Sequence, residues 1–571
     1  MPVMSRRPSP LALRACLLLL AVPACASAGG PVNDDWADRQ VVASLPFSDI
    51  EGAIGAATLE ASDPVFACRR TAPTVAARSV WYSYTTGSAT EYVNASATGF
   101  DSLVAIYAGD VANGFTLVTG ACNDDGGGTN GPASLIGIRL EPDTEYSIEV
   151  ATWDANVPAT VLQLTVDRAR TFLVTKSADT NDGTCDGDCS VREAVRAANQ
   201  GEGAVIVPAG TYALGLAGTG DDANLTGDLD LLGSAGVYGA GTSTTIIEGT
   251  ALASGDRVLH LDPAGVGSFS FAIADLTLRN GRAADGAALA NIGGAANPDF
   301  VGLSQVRITG SVATAQGGGA RLDGISLVED STIDANTAAT DGGGLAATAA
   351  ASRLTIARST LAGNASQRTS AGGGGGGVYL SAGTHVIDNA TLSGNTARGG
   401  GGGAMLAGSA AVAIADATIV GNRADALGSS GQSGGGVRLE GTGSASFANS
   451  IVATNVRGAG TAGSDCSRAA PVVLTSHDDL VQVPETCTFS GSNDVAAVAP
   501  GLGPLAANGG PTQTHAPLAG SAVVETGAPT CGRVDQRGIK RPLDGDGNGV
   551  ERCDRGAFEA ADPVLFRNGF E

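Results

Sequence analysis

HVIDNATLSGN, residues 385–395, decides how this chain folds. Ile387 and Leu392 both read as inward-facing apolar positions, yet they stand an odd number of residues apart. Side chains alternate along a strand with a period of two, so one straight strand cannot bury both. A bend has to intervene, and Asp388–Asn389 is the place for it. Asn and Asp tolerate left-handed backbone and bond to nearby peptide groups. The equivalent bend positions in neighbouring segments are Asp275, Gln305, Asp330, Arg358, Asp416 and Asn449.

The stretch is one copy of a repeat. LTLRNG, VRITGS, STIDAN, STLAGN, ATLSGN, ATIVGN and SIVATN place Leu278, Ile308, Ile333, Leu361, Leu392, Ile419 and Val452 at intervals of 30, 25, 28, 31, 27 and 33 residues. Between them lie glycine tracts that each open another short strand, as in GGGARL, GGGLAA and GGGVRL. A period of this length with two or three short strands is one coil of a parallel β-solenoid. Stacking puts the seven aliphatic residues in one inward column, with coils about 4.8 Å apart. Asn336, Asn364, Asn395 and Asn422 mark a second turn for the same reason, as residues that tolerate left-handed backbone, and their amides are expected to form a structural ladder.

An open solenoid end is a bare strand edge. CDGDCSVREAVRAAN, residues 185–199, supplies a lid. Ser190 with Glu193 makes a capping box, and Val191, Ala194, Val195 and Ala198 share one helical face. Residues 29–168 differ in character. They hold SVWYSYTTG, DSLVAIYAG and TEYSIEVATW, strand-length apolar runs broken by turn residues. The fold class is therefore all-β: an N-terminal β-sandwich, then a right-handed single-stranded parallel β-helix over 171–500 with an N-terminal capping helix. Residues 501–560 form a C-terminal closing segment.

Residues 1–28 read as a signal peptide: Arg6, Arg7 and Arg14, then LLLLAV, then a small-residue ASA site. Its loss takes the net charge from −24 to about −27. That opposes nucleic acid and anionic membranes as partners, and no later segment has the length of a transmembrane helix. Eight cysteines remain in sequence-local pairs. For an exported chain they are expected as the disulfides Cys68–Cys122, Cys185–Cys189, Cys466–Cys487 and Cys531–Cys553.

Several stretches resemble known families. NDDWADRQVV, SVWYSYT, GFDSLVAIYAG and ACNDD are similar to the bacterial pre-peptidase C-terminal type of β-sandwich, an accessory module of secreted proteins. CSVREAVRAAN resembles the CSLREA signature, with Val191 in place of Leu. VIVPAGTYAL, TGDLDL, VYGAGTSTTIIEG and the C-terminal GPTQTHAPLAGSAVVETGAPTC, DQRGIKRP and CDRGAFE resemble choice-of-anchor bacterial surface β-helix proteins. The resemblance implies export and a surface location, and brings no catalytic residues. The tail over 561–571 ends in GFE, which reads as a sorting tag or a frayed terminus.

DGDGNGVERCD, residues 544–554, spaces oxygens as a loop around a hard cation does. Asp544, Asp546 and Asn548, with Glu551 or Asp554, are the candidate Ca²⁺ ligands, against a solvated acidic turn. CNDDGGGTN, residues 122–130, is a second stretch of this kind. Other cofactors are not expected. Catalysis is disfavoured: the only lysines, Lys176 and Lys540, lie outside the repeats, no paired-Asp motif occurs, and sugar-stacking aromatics are nearly absent there. The expected function is non-catalytic adhesion or surface interaction with a glycan or protein ligand. The rivals are a polysaccharide lyase or glycoside hydrolase on a β-helix, and a structural envelope spacer.

Overall fold

The computed structural model describes residues 30–561, apart from 53, 70–75, 77, 126–130, 155–160, 202, 251, 253–254, 294–297, 371 and 470. The stretch 1–28 expected as a signal peptide and the tail beyond residue 561 lie outside the described residues, as does part of the loop at 122–130.

The N-terminal region forms two sheets. One runs in the order Gln40–Val42, Ser79–Thr85, Glu145–Thr152, Ser102–Asp110, Gly114–Asn123, and the other Phe47–Glu51, Leu162–Arg168, Glu91–Thr98, Ala133–Leu140. Trp81, Tyr107 and Tyr146 are buried between or beside them, and the Trp81 ring stacks on Phe115 with centroids 5.4 Å apart.

Strand Arg170–Leu173 leads straight from the second sheet into a parallel stack. About ten turns follow, with three strand faces per turn along most of the length. Leu278, Ile308, Ile333, Leu361, Leu392, Ile419 and Val452 pair in register, one rung to the next, and all are fully buried. Ile356, Ile387, Ile414 and Phe447 make a parallel column across the bend. The bend residues Asp275, Gln305, Asp330, Arg358, Asn389, Asp416 and Asn449 all have positive φ, between 47° and 59°. The odd spacing inside each repeat is thus absorbed by one left-handed residue, which returns the next apolar side chain to the interior.

The second turn is built differently from the sequence expectation. Its left-handed residue is the one before the asparagine: Ala335, Gly363, Gly394 and Gly421. The asparagine side chains are therefore free to turn inward. Each Nδ2 donates to the Oδ1 of the next rung, from Asn336 to Asn364, Asn395 and Asn422, at 2.9–3.1 Å. Each also donates to a strand carbonyl, as Asn395 does to Leu361 at 2.9 Å. The third turn is the glycine tract. A Cβ at Gly376 would stand 2.4 Å from the Gly402 carbonyl oxygen, so only glycine lets these rungs stack.

The helix Val191–Gly201 lies across the first rungs with Val191, Ala194, Val195 and Ala198 in the solenoid core. Both bonds of its capping box form: the Ser190 amide donates to Glu193 at 2.7 Å, and the Glu193 amide to Ser190 Oγ at 3.2 Å. The four cysteine pairs are Cys68–Cys122, Cys185–Cys189, Cys466–Cys487 and Cys531–Cys553.

Two features frame the solenoid flank. The sandwich packs against early rungs: Tyr238 Oη donates to the Gly137 carbonyl at 2.9 Å, and Asn123 donates to Ser268 and Ser270. Residues 501–560 leave the end of the stack and run back along its outside. Gln536, fully buried, bridges Thr360, Thr391 and Thr512, while the Arg541 guanidinium meets Asp416 at 2.8 Å.

Candidate functional site

Where the returning segment lifts off the stack, a depression of about 470 Å³ opens on the flank. Its floor is the outward face of three successive rungs, carrying Arg307, Thr332, Asp334 and Ala362, and its wall is Pro511–Gln513. The floor residues point outward because Ile308, Ile333 and Leu361 between them point inward. Arg307 clamps Asp334 through two bonds, Nε to Oδ1 at 2.9 Å and Nη2 to Oδ2 at 2.7 Å. That hydrogen-bonded pairing raises the Arg307 guanidinium above its ordinary value. The Arg307 side chain is about half exposed, so the guanidinium still faces solvent.

This arrangement offers an ion pair, hydroxyls and peptide groups to a polar ligand. Asp334 is its one lining carboxylate. Glycoside hydrolysis by the usual route needs two, one of them free to hold a proton. Three other carboxylates of the stack are paired with arginines too: Glu248 with Arg279 at 2.6 Å, Asp330 with Arg358 at 3.0 Å, and Asp341 with Arg368 at 2.6 Å.

One serine–histidine contact does occur. His515 Nε2 lies 2.9 Å from Ser393 Oγ, and its Nδ1 faces the Gly503 carbonyl at 2.8 Å, so Nδ1 carries the proton. Burial holds this imidazole below its ordinary pKa. Neither residue lines the depression, and the contact fastens the returning segment to its rung. The pairing joins residues 122 positions apart, a distance at which no local sequence signal exists.

The acidic loop assembles only in part. Asp544 accepts the amides of Gly547, Asn548 and Gly549, and Asp546 accepts that of Asn548. Carboxylate oxygens of Asp544 and Asp546 lie within 4.8 Å of each other and of Glu525, a residue the motif does not contain. Asn548 turns its Nδ2 to Glu525 at 3.0 Å and its Oδ1 to the Val550 amide. Glu551 is exposed and outside the group. Asp554 is buried elsewhere, accepting the Glu525 and Ala560 amides, and burial pushes its carboxyl up to about 6. In the sandwich, Asp124 and Asp125 stand near Asp101.

No family profile matches the chain, and no curated protein matches it. Solved structures similar to it include the pectate lyase Pel9A, at 13% identity over 68% of this chain and 97% of that one, with a TM-score of 0.40. A GH87 α-1,3-glucanase catalytic domain in complex with nigerose aligns at 11% identity, covering 72% and 82%, with a TM-score of 0.24. The catalytic unit of a thermostable GH87 α-1,3-glucanase from Streptomyces thermodiastaticus strain HF3-3 aligns at 14% identity, covering 79% and 94%, with a TM-score of 0.22. Scores this low carry no argument about activity.

Proposed function

We propose that this chain is an exported, cell-surface β-helix protein of the CSLREA, choice-of-anchor type that acts in adhesion by holding a glycan or protein ligand on its outer faces. The observation that carries the reading is the bidentate Arg307–Asp334 pair on the floor of the flank depression. It presents charge and hydrogen-bonding groups to a ligand while leaving no carboxylate there free for proton transfer. Export fits four disulfides, which persist in oxidising compartments. Among the described residues, no helix is long and apolar enough to cross a membrane. Calcium at the C-terminal loop stays part of the proposal in altered form, with Glu525, Asp544 and Asp546 as the ligands. Melting in Ca²⁺ against EDTA tests it.

The deciding experiment sets binding against turnover. A glycan array and whole-cell binding should retain the protein, and Arg307→Ala should weaken that retention about tenfold or more. Incubation with uronate polymers and α-glucans should release no unsaturated or reducing ends. Their accumulation would establish the enzyme reading instead. Clean results in both assays would leave the structural spacer.

A further inference from the structure

Asp230 lies on the short strand Leu229–Leu231, where Leu229 and Leu231 enter the solenoid core and Asp230 faces out. Its in-register neighbour on the next rung is His260, on Leu259–Leu261, and Ala290 follows. Although it faces out, Asp230 is fully buried. Residues 217–226 fold over it and are pinned there. The Asn224 side chain grips the Asp230 backbone from both sides, donating to its carbonyl and accepting from its amide, each at 2.8 Å. Asn199, on the capping helix, donates to the same carbonyl at 2.7 Å. Asp221 knots the loop by accepting the Leu225 and Thr226 amides.

The knot brings Asp222 over the strand pair. One ligand-type atom from each of Asp222, Asp230 and His260 lies within 4.8 Å of the other two. Among the described residues, neither carboxylate oxygen of Asp230 has a hydrogen-bond partner, and His260 Nδ1 stands 3.6 Å from its Oδ1. A buried carboxylate without donors is unfavourable, so this position calls for a counter-charge. Arg257 makes no direct ion pair with Asp230. Its Nη1 is turned to His260 Nδ1 at 2.9 Å and to Asp228 Oδ2 at 3.4 Å.

We propose that Asp222, Asp230 and His260 form a binding site for a divalent transition-metal ion of the zinc type. One imidazole with two carboxylates suits zinc, whereas calcium and magnesium take oxygen-only shells. A cation on the ring displaces Arg257, which keeps Asp228 as its partner. The ion would tie the covering loop to the first rungs, beside the capping helix.

The test uses the full disulfide-intact chain, stripped with EDTA and dialysed, then titrated calorimetrically with ZnCl₂ and separately with CaCl₂. The expected result is one Zn²⁺ per chain at this site and a raised melting temperature. Asp222→Asn and His260→Gln should each weaken the Zn²⁺ affinity at least tenfold. Asp222 is exposed, so its variant folds as the parent does. Co²⁺ substitution should give a visible d–d band that His260→Gln removes. Asp546→Asn, in the separate acidic loop, should leave Zn²⁺ binding unchanged. The proposal is overturned if the folded parent takes up no Zn²⁺, if uptake survives both substitutions, or if only Ca²⁺ binds through these residues.

Discussion

Single buried polar residues set the boundaries of this solenoid. The asparagine ladder has a direction, because each amide donates to the oxygen of the next rung. A ladder of donors must end on a group that only accepts, and it does: Asn455 donates to Asp465 Oδ1 at 2.8 Å, while the Val483 amide reaches Asp465 Oδ2 at 2.6 Å. Asp479 is a harsher case. It is fully buried, its Oδ1 accepts the Ser450 amide, and its Oδ2 has no partner. Burial first, with Asp494 adding, pushes its carboxyl up to about 8, far above an unfolded aspartate near 4. The folded chain therefore holds a proton that the unfolded chain releases. That contribution is present below about pH 4 and is lost as pH rises towards 8. The chain should melt several degrees higher at pH 5.5 than at pH 8.5, and Asp479→Asn should reduce that difference. A difference unchanged in the variant would show that other groups govern this pH range.

The capping helix depends more on a charge than on its cap. Arg192 is fully buried, with Nε and Nη2 on Asp179 at 2.8 and 3.0 Å. Its remaining donors reach the carbonyls of Thr226, Gly227 and Asp228. It thus fastens the helix to the loop that covers Asp230. Breaking such a pair strands the aspartate, at about 3–5 kcal/mol. Losing the Ser190 cap costs about 1 kcal/mol. Denaturant unfolding of Arg192→Met and Ser190→Ala should therefore rank them in that order. Equal losses would show that the helix sits on the stack by its apolar face alone. The apolar face and Ser190 can be read from CSVREAVRAAN. The burial of Arg192 cannot, because its partners come from two other segments.

Across the whole molecule, the flank is where separate parts meet. The sandwich seals early rungs, and the returning segment shields later ones through Gln536, Arg541 and Arg555, the last reaching the Asp478 and Asn493 carbonyls. Gln536→Leu would leave the buried Thr391 hydroxyl without its acceptor, at about 1–3 kcal/mol, while the Thr360 and Thr512 hydroxyls keep the Gln513 and Arg358 carbonyls. The solenoid itself should keep its far-ultraviolet circular dichroism, while limited proteolysis should cut residues 501–560 faster. An unchanged cleavage pattern would mean that Gln536 does not hold the segment down. The flank depression exists only because this segment doubles back.

The repeat by itself determined the rungs. Ile387 and Leu392 at an odd spacing, with a left-handed-tolerant residue between, allow one solution when seven copies recur, because only stacking buries both columns. Asn336, Asn364, Asn395 and Asn422 were legible as a ladder from the same period, although the left-handed residue proved to be the one before each. Tertiary structure alone decided what the outer faces do. Asp554 was drawn away from its own loop and Glu525 into it, and Ser393 met His515 from a distant segment. Asp222, Asp230 and His260 came together through the rung register and a folded-over loop. Inward positions repeat because one aliphatic core imposes them, so a sequence displays them. Outward contacts depend on how non-repeating segments cross the stack, and no period records that path.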